Sequence, residues 1–418
     1  MPSTPRSSLP ATEPADFAAL GTPPRLVAAL RESGRTTPFP IQTATLPDAL
    51  AGRDVLGRAQ TGSGKTIAFA VPAVARLAAS TSRRRPGRPR ALVLVPTREL
   101  ADQVQETVRP LAAAADLRTL TIYGGVGQNP QVTALRRGVD LVVATPGRLE
   151  DLIGQGHLDL DAVEVTVIDE ADHMADLGFL PAVRRLLDRT PAGTQRLLFS
   201  ATLDGEVDVL VRRYLRNPAR HSMDESAASV PTMTHRLVTV HADHKDAVTR
   251  DLLTSGSRTL AFTRTKHGAK KLAKRLSAAG IPSADLHGNL SQAARTRNLT
   301  AFHTGEVRVL VATDIAARGI HVDDVGLVVH VDPPAEHKAY LHRSGRTARA
   351  GSEGTVVTVA TLEQRTDVRR LLAKANVTAV EQHLAPSGAT ASAAVSSAPR
   401  PASDRSAADR SASGRRGP

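Results

Sequence analysis

The residues with the clearest chemical potential form a short stretch in the first part of the chain. Its sequence is Ala59-Gln60-Thr61-Gly62-Ser63-Gly64-Lys65-Thr66, between a short apolar run and an apolar stretch of helical character. Glycines allow a backbone to approach phosphates closely, and the amides at a helix start point toward an anion. Lys65 would reach the outer phosphates, and the Thr66 hydroxyl would ligate Mg²⁺. The stretch therefore predicts a site for a nucleoside triphosphate and its metal ion.

Two adjacent carboxylates supply the remaining acid–base chemistry. Asp169 and Glu170 come directly after the apolar run 165–168. Hydrolysis of a triphosphate needs a metal ion, a positioned water and positive charge at the transition state. Asp169 would hold Mg²⁺ directly or through a water, and Glu170 would act as the general base. The transition-state arginine must come from elsewhere, and Arg346 and Arg349 fit that role because guanidinium groups neutralise phosphoryl oxygens bidentately.

A glutamine near the phosphate loop could recognise a nucleobase. Pro38 and Pro40 fix the backbone on either side of Phe39 and present Gln42 at the start of a helix. An amide that is held rigidly donates and accepts at once, which suits the edge of an adenine. Taken alone, the segment is better explained as a proline-rich turn before a helix.

Short apolar strands must position these groups. In the first half of the chain, strands are predicted at 54–57, 91–95, 120–123, 141–144, 165–168 and 195–199. Each is followed by polar or glycine residues and then by a helical stretch. Ligands of open α/β sheets bind beyond the carboxyl ends of the strands, so these polar residues are expected along one edge of one sheet. The alternation predicts an α/β fold with a mostly parallel sheet covered by helices on both faces.

A second α/β alternation follows in the other half of the chain. Its strands are predicted at 259–262, 307–312, 326–331 and 356–360, the last of them before a closing helix at 363–373. The predicted organisation is a disordered N-terminus at 1–16, a first domain at 17–217, a linker at 218–231, a second domain at 232–384 and a disordered basic tail at 385–418.

The composition favours a nucleic-acid partner. Lys and Arg number 54 against 41 Asp and Glu, giving a formal net charge of +13, which suggests nucleic acid before a membrane surface. Aromatic residues make up only 2%, so the phosphate backbone is the expected contact. The basic stretch 82–90 is expected to be a solvated loop. The absence of cysteine, of an apolar membrane span and of a secretory signal predicts a cytoplasmic protein.

An ordered set of motifs resembles the DEAD-box family of RNA helicases, a family of superfamily 2. Asp169-Glu170-Ala171-Asp172 is the tetrad that names this family, and the resemblance covers about Phe17 to Leu384. The other matching motifs, in the order of the family, are the phosphate loop, 96–101, Gly124-Gly125, 145–148, 200–202, 312–319 and 342–349. The resemblance implies two tandem RecA-like domains and an RNA-stimulated ATP hydrolase that unwinds short duplexes or remodels RNA–protein complexes. ATP and Mg²⁺ are the implied cofactors, and RNA is the implied partner.

The resemblance also implies roles that the residues alone do not assign. Phe17 would stack on the adenine beside Gln42, and Ala59 stands where the family commonly has alanine. Ser200, Ala201 and Thr202, with Asp172, would couple hydrolysis to strand separation, and His342 would touch the first domain on closure. The implied contacts to the RNA backbone are Pro96, Thr97, Arg98, Gly124, Gly125, Thr145, Pro146, Gly147 and Arg148 in the first domain and Arg264 and Thr313 in the second.

Two positions depart from the family, and two other functions stay open. Phe39 stands where the family usually has threonine, and His321 stands where its Arg-Gly-x-Asp motif ends in aspartate. Both are expected to weaken nucleotide affinity or make it sensitive to pH while activity survives. The alternatives are an ATP-gated RNA clamp with little unwinding and a general nucleic-acid motor. Partners in ribosome assembly or RNA decay are compatible with the sequence, and no membrane partner is expected.

Overall fold

The computed structural model describes residues 16–59, 62–203, 205–223, 233–254, 256–317, 325–348 and 353–384. These ranges form two α/β domains, each built on its own seven-stranded sheet. Several positions of the sequence analysis lie outside the described residues. They are residues 1–15 and 385–418 of the predicted disordered ends, 224–231 of the predicted linker, Gln60, Thr61, His321 and Arg349.

The first domain alternates strands and helices throughout. Its strands are β1 (Val55–Arg58), β2 (Ala91–Leu94), β3 (Thr119–Ile122), β4 (Leu141–Ala144), β5 (Val165–Ile168), β6 (Gln195–Ser200) and β7 (Ala219–Ser222). Its helices are α1 (Pro24–Glu32), α2 (Pro40–Leu50), α3 (Lys65–Ala79), α4 (Arg98–Ala113), α5 (Asn129–Arg136), α6 (Pro146–Gly154), α7 (Ala171–Asp176), α8 (Leu180–Leu187) and α9 (Glu206–Tyr214).

The order of strands in the first sheet decides which loops are neighbours. It is β3-β4-β2-β5-β6-β1-β7, and all of the paired strands are parallel. Because the strands are parallel, their carboxyl ends lie at one edge of the sheet, here called the carboxyl rim. The loops after β1, β5 and β6 share one half of this rim, and the loops after β2, β3 and β4 share the other half.

The second domain repeats the arrangement. Its strands are β8 (Met233–Val240), β9 (Thr259–Phe262), β10 (Ser283–Leu286), β11 (Val309–Ala312), β12 (Leu327–His330), β13 (Gly354–Thr361) and β14 (Val380–Leu384). A short 3₁₀ helix at Ala242–His244 precedes α10 (Lys245–Leu253), and the other helices are α11 (Lys266–Ala278), α12 (Gln292–His303), α13 (Asp314–Ala317), α14 (His337–Ser344) and α15 (Arg365–Lys374). The parallel sheet has the order β10-β11-β9-β12-β13-β8-β14.

Both sheets are covered on both faces, as the continuously apolar strands predict. Val93 belongs to the core on one face of the first sheet, whereas Leu92 and Leu94 belong to the core on the other face. Val309 and Leu310 divide between two cores in the second domain in the same way. Such alternation follows from the period-two geometry of a strand. Within the described ranges, no helix has the length and apolarity needed to cross a membrane.

The edge strands are where the sequence-based prediction needs correction. β7 lies inside the segment 218–231 suggested as a linker, and its pairing with β1 extends the first domain to Ser222. The strand at 356–360 is not the last one, because β14 follows α15 and pairs with β8. The interior strand β8 and the edge strand β10 were also missed. β7 and β14 are largely exposed and polar, so they lack the continuous apolar run of a buried strand.

Candidate nucleotide and nucleic-acid site

The phosphate loop joins β1 to α3 on the carboxyl rim of the first sheet. Gly64 is the residue before α3 and has a left-handed φ of 86°. A Cβ atom at Gly64 would lie 2.5 Å from Nε2 of Gln42 and 2.8 Å from Cδ2 of Phe39. Lys65 is buried, and its Nζ donates a hydrogen bond of 2.8 Å to the carbonyl oxygen of Ala59. The local geometry is that of a backbone cradle with one ammonium group inside it.

The predicted base-recognition residues occupy different environments. The Gln42 side chain is buried, and its Nε2 donates to the Gly64 carbonyl at 2.8 Å while its Oε1 accepts from the Phe39 N–H at 2.9 Å. This amide therefore ties the start of α2 to the phosphate loop. Phe17 is only 3% exposed and belongs to the hydrophobic core, so its ring offers no free face to a base in this structure. Phe39, beside the loop, is 49% exposed.

Asp169 and Glu170 lie at the end of β5, next to the phosphate loop. Both carboxylates are buried, and Oδ1 of Asp169 accepts a 2.9 Å hydrogen bond from the Glu170 N–H. Burial raises the pKa of Asp169 to about 7, against the opposing charge of Lys65. Glu170 has a left-handed φ of 50°, a conformation that non-glycine residues adopt rarely.

Three neighbouring side chains lower the pKa of Glu170. Burial alone would raise its pKa, but the hydrogen bond and charge of His173 lower it, with Nδ1 lying 3.1 Å from Oε2. The charges of Lys65 and Arg346 act in the same direction, and the pKa falls to about 2. Arg346 belongs to the second domain, so part of this electrostatic environment is supplied across the two domains. The arrangement keeps a buried carboxylate ionised.

Asp172 connects α7 to the segment after β6. Its Oδ2 accepts hydrogen bonds from the Ala201 N–H at 3.2 Å, the Thr202 N–H at 3.1 Å and the Thr202 hydroxyl at 3.3 Å. Its own N–H donates to the Ser200 hydroxyl at 3.2 Å. The predicted coupling residues are thus joined directly. The Ala59 N–H donates to the Ser200 carbonyl at 3.1 Å, so the same segment also contacts the phosphate loop.

The predicted RNA-contacting residues of the first domain converge on the other half of the carboxyl rim. They follow β2, β3 and β4, which are neighbours in the sheet. The Arg98 guanidinium lies against Gly125, whose φ is 79°, and a Cβ at Gly124 would lie 3.9 Å from Nη2 of Arg148. Thr97 caps α4 by accepting from the Leu100 N–H at 3.2 Å. Pro96, Thr145, Pro146 and Gly147 lie in the same loops or the helix start that follows β4.

The predicted residues of the second domain also lie at the carboxyl ends of strands. Arg264 follows β9 and its N–H donates to Asp332 at 2.9 Å, while the Thr313 N–H donates to the Leu286 carbonyl at 3.2 Å. His342 is on α14 and lines a small cavity together with Arg343 and Arg346.

The two domains touch through charged and amide side chains. Glu99 and Arg295 form an ion pair of 2.7 Å, and each side chain is 12% exposed. Gln292 accepts from Nη1 of Arg98 at 3.0 Å and donates to Oε1 of Glu99 at 3.3 Å. Burial opposes ionisation, yet the hydrogen bond and charge of Arg295 lower the pKa of Glu99. These contacts hold the start of α4 in one domain against α12 in the other.

Sequence reasoning missed one residue, His173, and two pairings that organise the site. His173 could have been found from its position three residues after Glu170, since such residues lie on the same face of a helix. Arg343 is 3% exposed in its side chain and pairs with Asp314, with Nη2 lying 2.7 Å from Oδ2. Glu99 and Arg295 pair across the domains. No sequence signal predicts pairs that lie so far apart along the chain.

Family models match both domains. The model of the DEAD/DEAH box helicase matches residues 39–210, and the model of the helicase conserved C-terminal domain matches residues 244–351. The second match includes Arg346 and ends five residues after it. Together the two matches include the phosphate loop, the Asp169–Asp172 tetrad and the residues of the domain contact.

The chain is also similar to individual proteins. It is 44% identical over 363 residues to the chloroplastic DEAD-box ATP-dependent RNA helicase 3B of Zea mays, which covers 85% of this chain and 48% of that protein. It is 37% identical over 351 residues to DEAD-box ATP-dependent RNA helicase 20 of Arabidopsis thaliana, covering 83% of this chain and 70% of that one. The chain spans about half the length of the maize relatives it matches, 48% in each case.

A solved structure has the same architecture. S. cerevisiae Dbp5 bound to RNA and ADP BeF3 superposes with a TM-score of 0.77 at 27% sequence identity, covering 88% of this chain and 95% of that one. The likeness extends over both domains, because the matched share of this chain exceeds either domain alone.

Proposed function

The chain belongs to the DEAD/DEAH box helicase family, and we propose from that premise that it is an ATP-dependent RNA helicase. The observation that carries the proposal is the meeting of the two domains at the phosphate loop. Lys65, Asp169 and Glu170 come from the first domain, and the charge of Arg346 reaches Glu170 from the second. A nucleotide bound at the loop would therefore contact both domains.

The reaction follows from the placement of charge. Glu170 is ionised and would accept a proton from the attacking water, while Lys65 would hold the outer phosphates. Arg346 would neutralise the charge that develops on the transferred phosphoryl group, with Arg349 proposed for the same role from the sequence. An arginine finger supplies roughly 10³–10⁵ in rate, so the reaction depends on closure of the domains.

The residues at the loop fit Mg²⁺ as the metal cofactor. Mg²⁺ in nucleotide sites is bound by one or two carboxylate or hydroxyl oxygens, substrate phosphates and waters. Thr66 and Asp169 would supply such oxygens, and Mg²⁺ would neutralise phosphate charge and orient the leaving group. Among the described residues there is no cluster of three or more His, Asp or Glu that could hold a metal. Burial raises the pKa of Asp169, and a bound cation would offset this shift because it favours the carboxylate form.

RNA would lie along the other half of the carboxyl rim and continue onto the second domain. The guanidinium groups of Arg98, Arg148 and Arg264 and the amides at the starts of α4 and α6 suit phosphate oxygens. Dbp5 is bound to RNA and ADP BeF3 in its solved structure. The bonds from Asp172 to residues 200–202 would carry the state of the nucleotide into the domain arrangement. We expect little sequence preference, because backbone contacts carry none.

Two alternatives differ in what closure achieves. An ATP-gated clamp would use the same closed state to hold RNA without separating strands, and a general motor would accept DNA equally. Ribosome assembly and RNA decay are compatible settings, and a cytoplasmic location is a prediction from composition.

The decisive experiment is steady-state ATP hydrolysis without polymer, with single-stranded RNA and with matched DNA, in parallel with Glu170→Gln. Strong stimulation by RNA alone, reduced at least a hundredfold in the variant, is expected. Equal stimulation by DNA would favour the general motor. Normal RNA-stimulated hydrolysis without separation of a short duplex would favour the clamp.

A further inference from the structure

A cavity of about 560 Å³ opens on the first domain at the edge opposite the carboxyl rim. Its walls come from the end of α3 and from the segments that precede β2, β5 and β6. The volume is within the range of small-molecule sites. The nucleotide site lies at the other ends of the same strands, so this cavity is separate from it.

Arginine dominates the lining of the cavity. Arg76, Arg83, Arg85 and Arg90 all contribute. Arg90 is buried and pairs with buried Asp140 at 2.8 Å, a carboxylate that Arg84 also contacts at 2.6 Å. Over the ranges that the structure describes, the guanidinium groups of the other three have neither an ion-pair nor a hydrogen-bond partner.

The carboxylates of the lining are already engaged elsewhere. Asp161 forms an ion pair with Arg88, which is not part of the lining. Glu164 accepts a hydrogen bond from the Ser80 hydroxyl at 3.0 Å and lies 3.8 Å from Arg90. The cavity therefore keeps an excess of positive charge that its own acidic residues do not cancel.

The side chain of Arg76 has a buried donor that needs a hydrogen-bond acceptor. Its Nε is shielded from solvent, and no acceptor for it is found in the described part of the chain. Buried donors are nearly always satisfied in folded proteins, because an unsatisfied one costs roughly 1–3 kcal/mol. An anion in the cavity would provide the acceptor.

The lining also defines the class of anion. It contains no aromatic side chain, so it offers no platform on which a base could stack. Guanidinium groups match phosphoryl oxygens in geometry and charge. From these features we infer that the cavity binds a compact polyphosphate, either inorganic or the polyphosphate portion of a nucleotide.

The site can be filled at the same time as the phosphate loop. Lys65 begins α3 and Arg76 is near its end, which places the two residues about 16 Å apart at 1.5 Å per residue. Two separate anions therefore occupy opposite ends of one helix.

Calorimetric titration of the full chain with sodium tripolyphosphate tests the inference. The phosphate loop is first filled with AMP-PNP, and Mg²⁺ is kept above the total tripolyphosphate. We expect one binding event, weakened about tenfold or more in Arg83→Ala/Arg85→Ala and in Arg76→Gln. The matched control is Arg136→Ala/Arg137→Ala, which removes the same charge from exposed positions on α5 and just after it and should change affinity less than twofold. A titration with GTP tells whether an attached nucleoside is accepted.

Four results would overturn the inference. They are no binding by the native chain, an equal loss in the control variant, loss of binding in Lys65→Ala, and a parallel loss of single-stranded RNA affinity in Arg83→Ala/Arg85→Ala. The last would assign these arginines to the RNA backbone. Because Arg83 and Arg85 are exposed, the Arg83→Ala/Arg85→Ala variant should melt at the native temperature in the absence of ligand. Tripolyphosphate should raise the melting temperature of the native chain and of the control variant, but not that of Arg83→Ala/Arg85→Ala.

Discussion

The carboxylates of Asp169 and Glu170 are adjacent in sequence, yet their pKa values shift in opposite directions. Burial raises the pKa of Asp169 to about 7, whereas His173, Lys65 and Arg346 outweigh burial and bring the pKa of Glu170 to about 2. Environment rather than residue type therefore distinguishes the carboxylate proposed to bind the metal from the one proposed as the base. His173, which no motif had singled out, makes much of this difference.

Gly64 shows how tightly the phosphate loop is built. An alanine there would meet Gln42 at 2.5 Å and would have to adopt a φ of 86°. We expect Gly64→Ala to strain the loop by about 1–2 kcal/mol or more and to weaken nucleotide binding at least tenfold. Binding of a fluorescent ATP analogue measures this.

The matched control is Gly154→Ala, where nothing lies within 4 Å of the added atom and φ is not positive. It should bind nucleotide normally. Equal affinity for Gly64→Ala would mean that the loop rearranges without cost, contrary to the geometry described.

At the scale of elements, α7 and the segment after β6 are joined by one carboxylate. Asp172→Asn places an amide beside donors that now face Oδ2, and it removes charge-assisted hydrogen bonds worth about 1.5–3 kcal/mol each. We expect duplex separation to fall more than tenfold, while RNA-stimulated ATP hydrolysis falls much less. Parallel helicase and ATPase assays measure the ratio.

Asp116→Asn makes the same chemical change on an exposed turn whose φ of 54° asparagine tolerates. Both activities should stay at the native level. An Asp172→Asn chain that loses both activities in proportion would show that the contact supports the catalytic site instead.

The strand β12 carries a histidine into the core of the second domain. His330 is fully buried, and its Nδ1 lies 3.2 Å from the Thr358 hydroxyl. Burial lowers its pKa well below the usual value, and burial lowers that of nearby His235 to about 4. The unfolded chain thus binds protons below pH 6.5 that the native domain does not, so stability falls as pH falls.

When the pH is lowered from 7 to 5, each of these two buried histidines should lower the free energy of unfolding by about 2 kcal/mol. His330→Asn should remove about that much of the pH dependence, whereas exposed His303→Asn should leave it unchanged. Denaturant unfolding at both pH values measures the difference. Parallel pH profiles for all three chains would contradict the assignment.

At the scale of the whole molecule, the ion pair between Glu99 and Arg295 holds the two domains together. Each side chain of this pair is 12% exposed, and removing one partner leaves an uncompensated charge, a change that costs about 3–5 kcal/mol where a pair is fully buried. We expect Arg295→Glu to open the molecule and to lower RNA-stimulated ATP hydrolysis at least tenfold. The swapped pair, Glu99→Arg with Arg295→Glu, should recover part of the domain closure and part of the RNA-stimulated ATP hydrolysis.

Fluorescence energy transfer measures closure directly. The chain contains no cysteine, so Glu106→Cys on α4 and Lys271→Cys on α11 provide unique labelling sites. A swapped pair as open as the single variant would mean that charge complementarity at this contact does not drive closure.

The sequence by itself determined the fold class, the family and the half of the chain in which each chemical motif lies. Strands that are buried on both faces have continuous apolar runs, and each polar motif follows one of them, so a parallel sheet must gather the motifs at one edge. This local pattern was sufficient for the phosphate loop, the Asp169–Asp172 tetrad and the segment at 200–202. Their individual roles stay predictions until the variants are measured.

Only the tertiary structure decided which of these loops are neighbours. The order of strands places β1, β6 and β5 side by side, and it separates the half of the carboxyl rim proposed for the nucleotide from the half proposed for RNA. The burial of Phe17, the approach of Arg346 to Glu170 and the arginine-lined cavity depend on contacts between residues far apart in sequence. Contacts between distant residues leave no periodic pattern in the sequence, and the exposed edge strands β7 and β14 also lack one. For this reason, neither these contacts nor these two strands could be predicted without the tertiary structure.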